Sequence, residues 1–441
     1  MTVLFHFLLE GIAARARIIP AEDPPAMDTH YDAVIVGGGV IGVCSAYYLS
    51  KSGLKVLVVE KGEIASGCSS GNGGLIVPSH ALPLASPGAL GDGLRWIMDP
   101  ESPFYIKPRL DIRLFHWLIR FALASRESVM LRSLPVLRDL LFASSALYKD
   151  MAETAGFDFG YAGNGSLWVC LSKERLEREK EETRLFERVQ IHVQMLSQDE
   201  VHDLEPALLP QVVGGVFYPN DGHIDPFRFV TGLAEKAQEQ GVDICTNTDV
   251  MGFETANGRI TRIRTTRGDI GAEQVVLAAG SWSPQIAKEL HLSIPIEAAK
   301  GYSINLEHSE PSPKLPLLLG EARVVVNPLE QGLRLAGTLE MAGLDFSIST
   351  RRVDAIRRSC EAYLPGIAQA KTIEIWRGLR PCTPDGLPIL GRSRDFHNLI
   401  IAAGHAMLGM SLGPISGKLV SQLVCRETTD VETAPLRLDR F

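Results

Sequence analysis

Tyr31 to Lys61 reads YDAVIVGGGVIGVCSAYYLSKSGLKVLVVEK, and this stretch decides the fold. Apolar and small residues from Ala33 to Gly37 read as a buried strand running into a turn. The turn carries Gly37-x-Gly39-x-x-Gly42, and Val40 to Leu49 continue at helical spacing. A second strand, Val56 to Val59, ends at an acid, Glu60. Each glycine has a physical task. Gly37 permits the tight turn, Gly39 lets backbone approach a pyrophosphate, and Gly42 lets helix and strand pack closely. The N-terminus of the helix offers N–H groups and a positive dipole end to phosphates, and Glu60 is placed to accept ribose hydroxyls. A lone glycine motif is weak evidence. This one has its strand before it, its helix after it, and its acid 18 residues past Gly42.

At 441 residues the chain is long for one core, so two intertwined domains are expected. The charged and apolar fractions are those of an ordinary globular protein, and the net charge of −8 argues against a nucleic-acid partner. Cys44, Cys68, Cys170, Cys245, Cys360, Cys382 and Cys425 are scattered, odd in number and without a CxxC pair. No metal site and no disulfide framework is expected, and a reducing, cytoplasmic setting fits. No apolar run is long enough to cross a membrane. Val3 to Leu9 is apolar, but its basic residues follow it, which is not the order of a signal peptide. Residues 1–28 are therefore expected to be a flexible extension, with Met27 as an alternative start.

Further along, helical periodicity runs from Asp111 to Ala155, and Glu174 to Glu187 reads as a charged helix. Asp225 caps a helix that has Pro226 at its first position. Strands are expected at Gly165 to Leu171, Gly214 to Tyr218, Ile260 to Thr265, Val275 to Ala279 and Leu399 to Ala402. From Pro295 to Ile348 the alternation is β-like. The fold class that follows is α/β: a Rossmann-like FAD-binding domain with an interleaved, sheet-rich α+β substrate domain. The expected boundaries are 29–105, 222–292 and 366–441 for the first, and 106–221 and 293–365 for the second. A cofactor held by segments from the start, middle and end of a chain suggests a long flavin dinucleotide.

The residues resemble the two-domain FAD-dependent amine and amino-acid oxidoreductases, which include D-amino acid dehydrogenases, glycine oxidase, sarcosine oxidase and D-amino acid oxidase. The resemblance runs from Tyr31 to the C-terminus. It rests on the opening motif, on Gly378-Leu-Arg-Pro-x-Thr-Pro-Asp-Gly386 and on Gly404-His-x-x-Leu-Gly409. Lys300-Gly-Tyr-Ser303 and Trp376-x-Gly-Leu-Arg-Pro are most similar to the bacterial D-amino acid dehydrogenases. The resemblance implies that Val40 and Ile41 lie over the pyrophosphate, with Glu60 and Lys61 at the adenosine ribose. Cys68 and Ser69 fall where the family has hydroxyls near the phosphates, so Cys68 is a departure. Gly73, Gly74 and Leu75 match the loop beside the flavin ring, and Val250 matches the backbone contact to adenine. Gly280 and Trp282, just after a strand, join the cofactor set. So do Gly404, His405, Leu408, Gly409, Met410 and Ser411, where a helix starting near Gly409 would aim its dipole at the flavin.

Arg380 matches the arginine that pairs bidentately with a substrate carboxylate, a task that suits a planar fork better than an ammonium. Tyr302 and His80 are further catalytic candidates. Met407 stands where glycine oxidases carry a second arginine. Gly378 stands where sarcosine oxidases attach flavin through a cysteine, so non-covalent FAD is expected. The implied reaction is oxidative deamination of a D-amino acid to 2-oxo acid and ammonia by hydride transfer to flavin N5. Two alternatives stay open: a glycine, sarcosine or hydroxyproline-type amine oxidase, and the flavoprotein subunit of an electron-transfer complex. The implied partners are an amino-acid substrate and an electron acceptor, quinone or oxygen. Peripheral association with the inner face of a membrane, or with a partner subunit, also stays open.

Overall fold

β1 (His30–Val36) and β2 (Val56–Val59) lie parallel, with Ala33 opposite Val56 and Val36 opposite Val59. Between them runs the helix α1 (Val40–Ser50), almost wholly buried. The computed structural model describes residues 30–88, 102–308 and 310–441. The expectations for residues 1–28, and for the coil across 89–101, lie outside the described residues. β3 (Gly268–Leu277) pairs with the other edge of β1, and the strand Leu399–Ala403 adds in parallel to β3. Asp243–Cys245 closes the far side of β2. β2 and Leu399–Ala403 read as unbroken apolar runs because both faces of a parallel sheet are covered. An antiparallel pair, Val250–Ala256 and Arg259–Thr265, continues the sheet beyond the start of β3.

The second sheet is built around β4 (Glu297–Leu306), which lies antiparallel between β5 (Gly332–Met341) and β6 (Thr372–Cys382). It continues outward from β5 through Val324–Leu329, Leu317–Leu319, Ser166–Cys170, Gly214–Tyr218 and Gln194–Ser197. One face is apolar: Tyr302, Ile304 and Leu335 pack on Val353 and Ile356 of the helix Thr350–Cys360. The opposite face turns toward the loop after β2. There Gly73 lies against Val325 and Ala336, and the Trp376 ring lies over Gly71. β6 corrects the expected boundary at 366. Its hydrogen bonds run along β4 from Leu306↔Thr372 to Glu297↔Cys382, so this strand belongs to the second sheet.

The helical stretch expected from Asp111 to Ala155 is two helices, α2 (Ile112–Ala124) and α3 (Glu127–Thr154), broken at Ser125 and Arg126. Asp111 caps α2, its carboxylate accepting from the N–H groups of Arg113 and Leu114. Asp225 likewise accepts from Phe227 and Arg228 N–H, with Pro226 in the first turn. The terminal helix, α4 (Gly413–Cys425), packs on α1 so closely that a Cβ on Gly417 would overlap the Cys44 backbone. It starts four residues later than expected, because Ala406–Gly409 forms a 3-10 turn first.

That contact sets a test of the core. Gly417→Ala should destabilise the protein by about 1–3 kcal/mol, since neither helix backbone can yield without moving its sheet. Thermal unfolding of the apoprotein would read the loss, and a melting temperature equal to that of the native protein would refute the close approach.

Candidate active site

Gly37 has φ +116°, and a Cβ there would lie 2.5 Å from the carbonyl oxygen of Ala278 on the adjacent β3 segment. A Cβ on Gly42 would overlap the Gly37 carbonyl. Both glycines are therefore fixed by packing, and the turn they permit opens on a cavity of ≈ 530 Å³. Gly37, Gly39, Val40 and Ile41 line it, with Glu60, Lys61, Cys68 and Ser69. So do Val250, Gly280 and Trp282 from the middle of the chain and His405, Gly409 and Met410 from its end. The convergence expected from the sequence is thus a property of the sheet order. The first strand is central, and the strand that leads into Gly404 lies two places away.

Local polar contacts shape this cavity. The Val40 N–H donates to Ser69 Oγ at 3.0 Å, so Ser69 sits over the first turn of α1. Glu60 accepts from Gly38 N–H at 2.6 Å and Gly62 N–H at 2.8 Å, which pins its carboxylate at the rim. The buried His405 ring meets Ser416 Oγ at 2.9 Å, and burial lowers its pKa to about 3, so the ring is neutral. At the mouth, Lys61 Nζ stands 4.1 Å over the Trp282 ring. Trp282 stacks on Phe346 at 6.1 Å between centroids, and the Arg377 guanidinium lies 4.8 Å from Phe346. Sequence reading missed Phe346 and Arg377, which the pattern of alternation alone does not distinguish from surface residues.

Arg380 does not line the cavity, although its neighbours Leu379 and Pro381 do. Its guanidinium lies over Gly301, where a Cβ would collide with it, and Nη1 donates to Thr338 O at 2.6 Å. Among the described residues that is its hydrogen bond. The Arg380 cation acts on two thiols, Cys68 and Cys382. Burial outweighs it, raising Cys68 to about 11 and Cys382 to about 12. Both are protonated and poor nucleophiles near neutral pH. Trp376 shares the Arg380 face of β6, with its ring over Gly378 and Gly71.

Gly73, Gly74 and Leu75 are not among the residues that line the cavity, although Asn72 is. Asn327 Nδ2 donates to Gly73 O at 2.8 Å, and Leu75–Ile76 pairs with Gly222–His223. Arg334, missed in the sequence, donates to Ser70 O and Asn72 O at 3.0 and 2.9 Å. An arginine between Leu333 and Leu335 was the available signal. Gly404, Leu408 and Ser411 support the lining without forming it: Gly404 takes φ +82°, and Ser411 Oγ donates to Leu75 O.

Tyr302 and His80 depart from expectation. Side chains alternate along a strand, so Tyr302 points away from the face that Gly301 opens to Arg380. It is buried and donates to Glu340 at 3.0 Å. His80 packs on Tyr218 and Trp168 with Nε2 3.9 Å from Asp221, away from the cavity lining. Burial lowers His80 to about 4 and raises Asp221 to about 7, the latter against hydrogen bonds from Ser79 and Ser166.

Comparison with known proteins matches residues 32–423 to the family described as FAD dependent oxidoreductase. A D-amino acid dehydrogenase of Vibrio vulnificus is 31% identical over 421 residues, covering 93% of this chain and 99% of its own. One from Agrobacterium fabrum is 30% identical over 420 residues, covering 92% and 99%. Among solved structures, glycine oxidase from Geobacillus kaustophilus superposes with TM-score 0.77 at 25% identity, covering 94% of this chain and all of that one. L-proline dehydrogenase from P. horikoshii reaches 0.75 at 21% identity, covering 94% and 98%, which is a likeness of fold. The cradle fits FAD. Gly37 and Gly39 leave room for backbone approach, the N-terminus of α1 faces the cavity, and Glu60 and Lys61 line it.

Two tests follow from this geometry. Glu60→Gln should loosen FAD about ten- to hundred-fold, because a carboxylate–hydroxyl bond is worth roughly 1.5–3 kcal/mol. Titration of apoprotein with FAD would measure it, and an unchanged Kd would remove Glu60 from the ribose. The second concerns pH. The folded pKa of Asp221 lies above its unfolded value, so its stabilising contribution is full below about pH 4 and gone above about pH 7. Asp221→Asn should therefore gain about 2–3 kcal/mol on the native protein between pH 5 and pH 8. The contribution of His80 runs the other way, lost as pH falls from about 6.5 toward 4, and is common to both proteins. A melting-temperature difference that is the same at both pH values would refute the raised carboxyl.

Proposed function

Since the chain belongs to the FAD dependent oxidoreductase family, we propose that it oxidises a D-amino acid at Cα. The imine so formed hydrolyses to 2-oxo acid and ammonia. The observation that carries this reading is Arg380. Its half-buried fork lies beside the cavity-lining Cys68, with Nη1 spent on Thr338 and two further donors available to a carboxylate. Bound FAD supplies the two-electron acceptor for the hydride that leaves Cα. The protein's own part is orientation. Arg380 holds the carboxylate, and Gly301 and Gly378 keep the strand face clear for it. The Trp376 ring bounds the space next to it. FAD is held non-covalently in this reading, since the nearby thiols are protonated and Gly378 offers no sulfur. The substrate class follows the names of the curated relatives. The electron acceptor is a quinone or oxygen.

Arg380→Ala tests the assignment. Removing one partner of a desolvated charge pair should slow reduction of the flavin by D-amino acids from about thirty-fold to several thousand-fold, or roughly 2–5 kcal/mol. FAD content should not change, and Arg380→Lys should recover only part of the rate, because a point charge cannot make two parallel bonds. Anaerobic stopped-flow bleaching reads all three. Reduction of Arg380→Ala at the native rate would place the carboxylate site elsewhere.

A further inference from the structure

The motif Lys300-Gly-Tyr-Ser303 gives Gly301 to the Arg380 face of β4, but Lys300 and Tyr302 turn the other way. Lys300 is 1% exposed, and burying an ammonium is costly unless it is paired. Its partners lie in the loop that follows β5. Nζ donates to Ser347 O at 3.0 Å and stands 3.3 Å from the Asp345 carboxylate. Lys107 reaches the same carboxylate at 3.1 Å, which also accepts from Ser347 N–H at 2.9 Å. Tyr302 Oη accepts from Ser349 N–H at 3.4 Å, and Arg377 Nε donates to Phe346 O at 3.1 Å. Asp345, Phe346, Ser347 and Ser349 are thus each tied to β4 or β6.

These ties hold in place a phenylalanine that burial does not hold. Phe346 is 45% exposed, and its ring stacks on Trp282 at the cavity mouth with 23° between the planes. Lys61 stands over Trp282 and Arg377 over Phe346, and all four residues line the cavity. Lys61 and Trp282 follow strands of the first sheet, whereas Phe346 and Arg377 belong to the second. The row therefore bridges the two halves across the opening, and its stacked rings leave no gap for the planar ring of a flavin or an adenine. We propose that this row is a clasp that must part for FAD to enter or leave, and that Lys300 is the positioning residue that keeps Phe346 in it. A ring pair with two exposed cation–π contacts favours the closed row by roughly ten-fold or more. The pinned loop also loses little further freedom on closing. The inference rests on FAD as the cofactor and not on which amine is oxidised.

A clasp slows entry and exit by one factor and leaves affinity alone, whereas a lost contact to FAD raises Kd. Flavin fluorescence distinguishes them, following release from diluted holoprotein and uptake by apoprotein. Phe346→Ala should speed both rates about ten-fold or more with Kd within about three-fold of native. Phe346→Tyr, which keeps the ring, should exchange FAD at the native rates. Lys300→Met should speed both rates too, and should add nothing to Phe346→Ala, because Lys300 acts through that ring. Asp345→Asn removes the same tie from the loop side and takes the place of Lys300→Met if that variant does not fold. The proposal falls if Phe346→Ala exchanges FAD at the native rates. It falls if release alone speeds up and Kd rises with it, since Phe346 would then be a contact to FAD and not a closure. Full additivity of the Lys300 and Phe346 substitutions would remove Lys300 from the positioning role.

Discussion

The guanidinium of Arg334 is buried between the two sheets and donates to Ser70 O, Asn72 O and the side chain of Asn305. The loop from Ser66 to Gly74 is what the first sheet presents to the second, and it has little apolar surface with which to dock. Arg334 substitutes hydrogen bonds for burial at that junction. Each carbonyl it satisfies would otherwise be a desolvated acceptor at a cost of about 1–3 kcal/mol. Cys68 and Ser69 on one side of the loop, and Trp376 against Gly71 on the other, take their positions from this anchoring. Ser281 Oγ, donating to Leu379 O at 2.8 Å, adds a second tie between the sheets near Arg380.

The electrostatics of the cavity follow from burial. His405 and the thiols of Cys68 and Cys382 are all held neutral by their surroundings. The charged groups around them are of both signs: the cations Lys61 and Arg377, with Arg380 nearby, and the acids Glu60, Asp249 and Glu289, of which Glu60 is engaged by the N–H groups of Gly38 and Gly62.

The sequence made the first sheet legible because its cues are local. Gly37, Gly39 and Gly42 announce a strand–turn–helix, and Asp225-Pro226 announces a helix start with the cap that the structure shows. What it did not make legible depends on parity or on partners far along the chain. Tyr302 and Gly301 are adjacent, and only the pairing of β4 with β5 and β6 says which of them faces the site. His80 follows a glycine-rich loop that does reach the cavity, yet the chain has by then passed behind it to Tyr218 and Trp168. The start of α4 was misplaced because Gly409 ends a 3-10 turn, a shorter structure with the same residue preferences.

The order of strands in the first sheet has a consequence for biosynthesis. β1 emerges from the ribosome early, but the strand Leu399–Ala403 that completes its side of the sheet is among the last to be made. At about 5–20 residues per second, the nascent chain spends roughly 6–25 s with β3 lacking its parallel neighbour. Through that interval Val275, Val276 and Leu277 present an unpaired apolar edge. Such an edge invites pairing with other chains. The second sheet, whose central strands β4 and β5 are joined within about fifty residues, can form in the meantime. The dinucleotide half is therefore the part most exposed to chaperones, although its defining motif is the first to be translated.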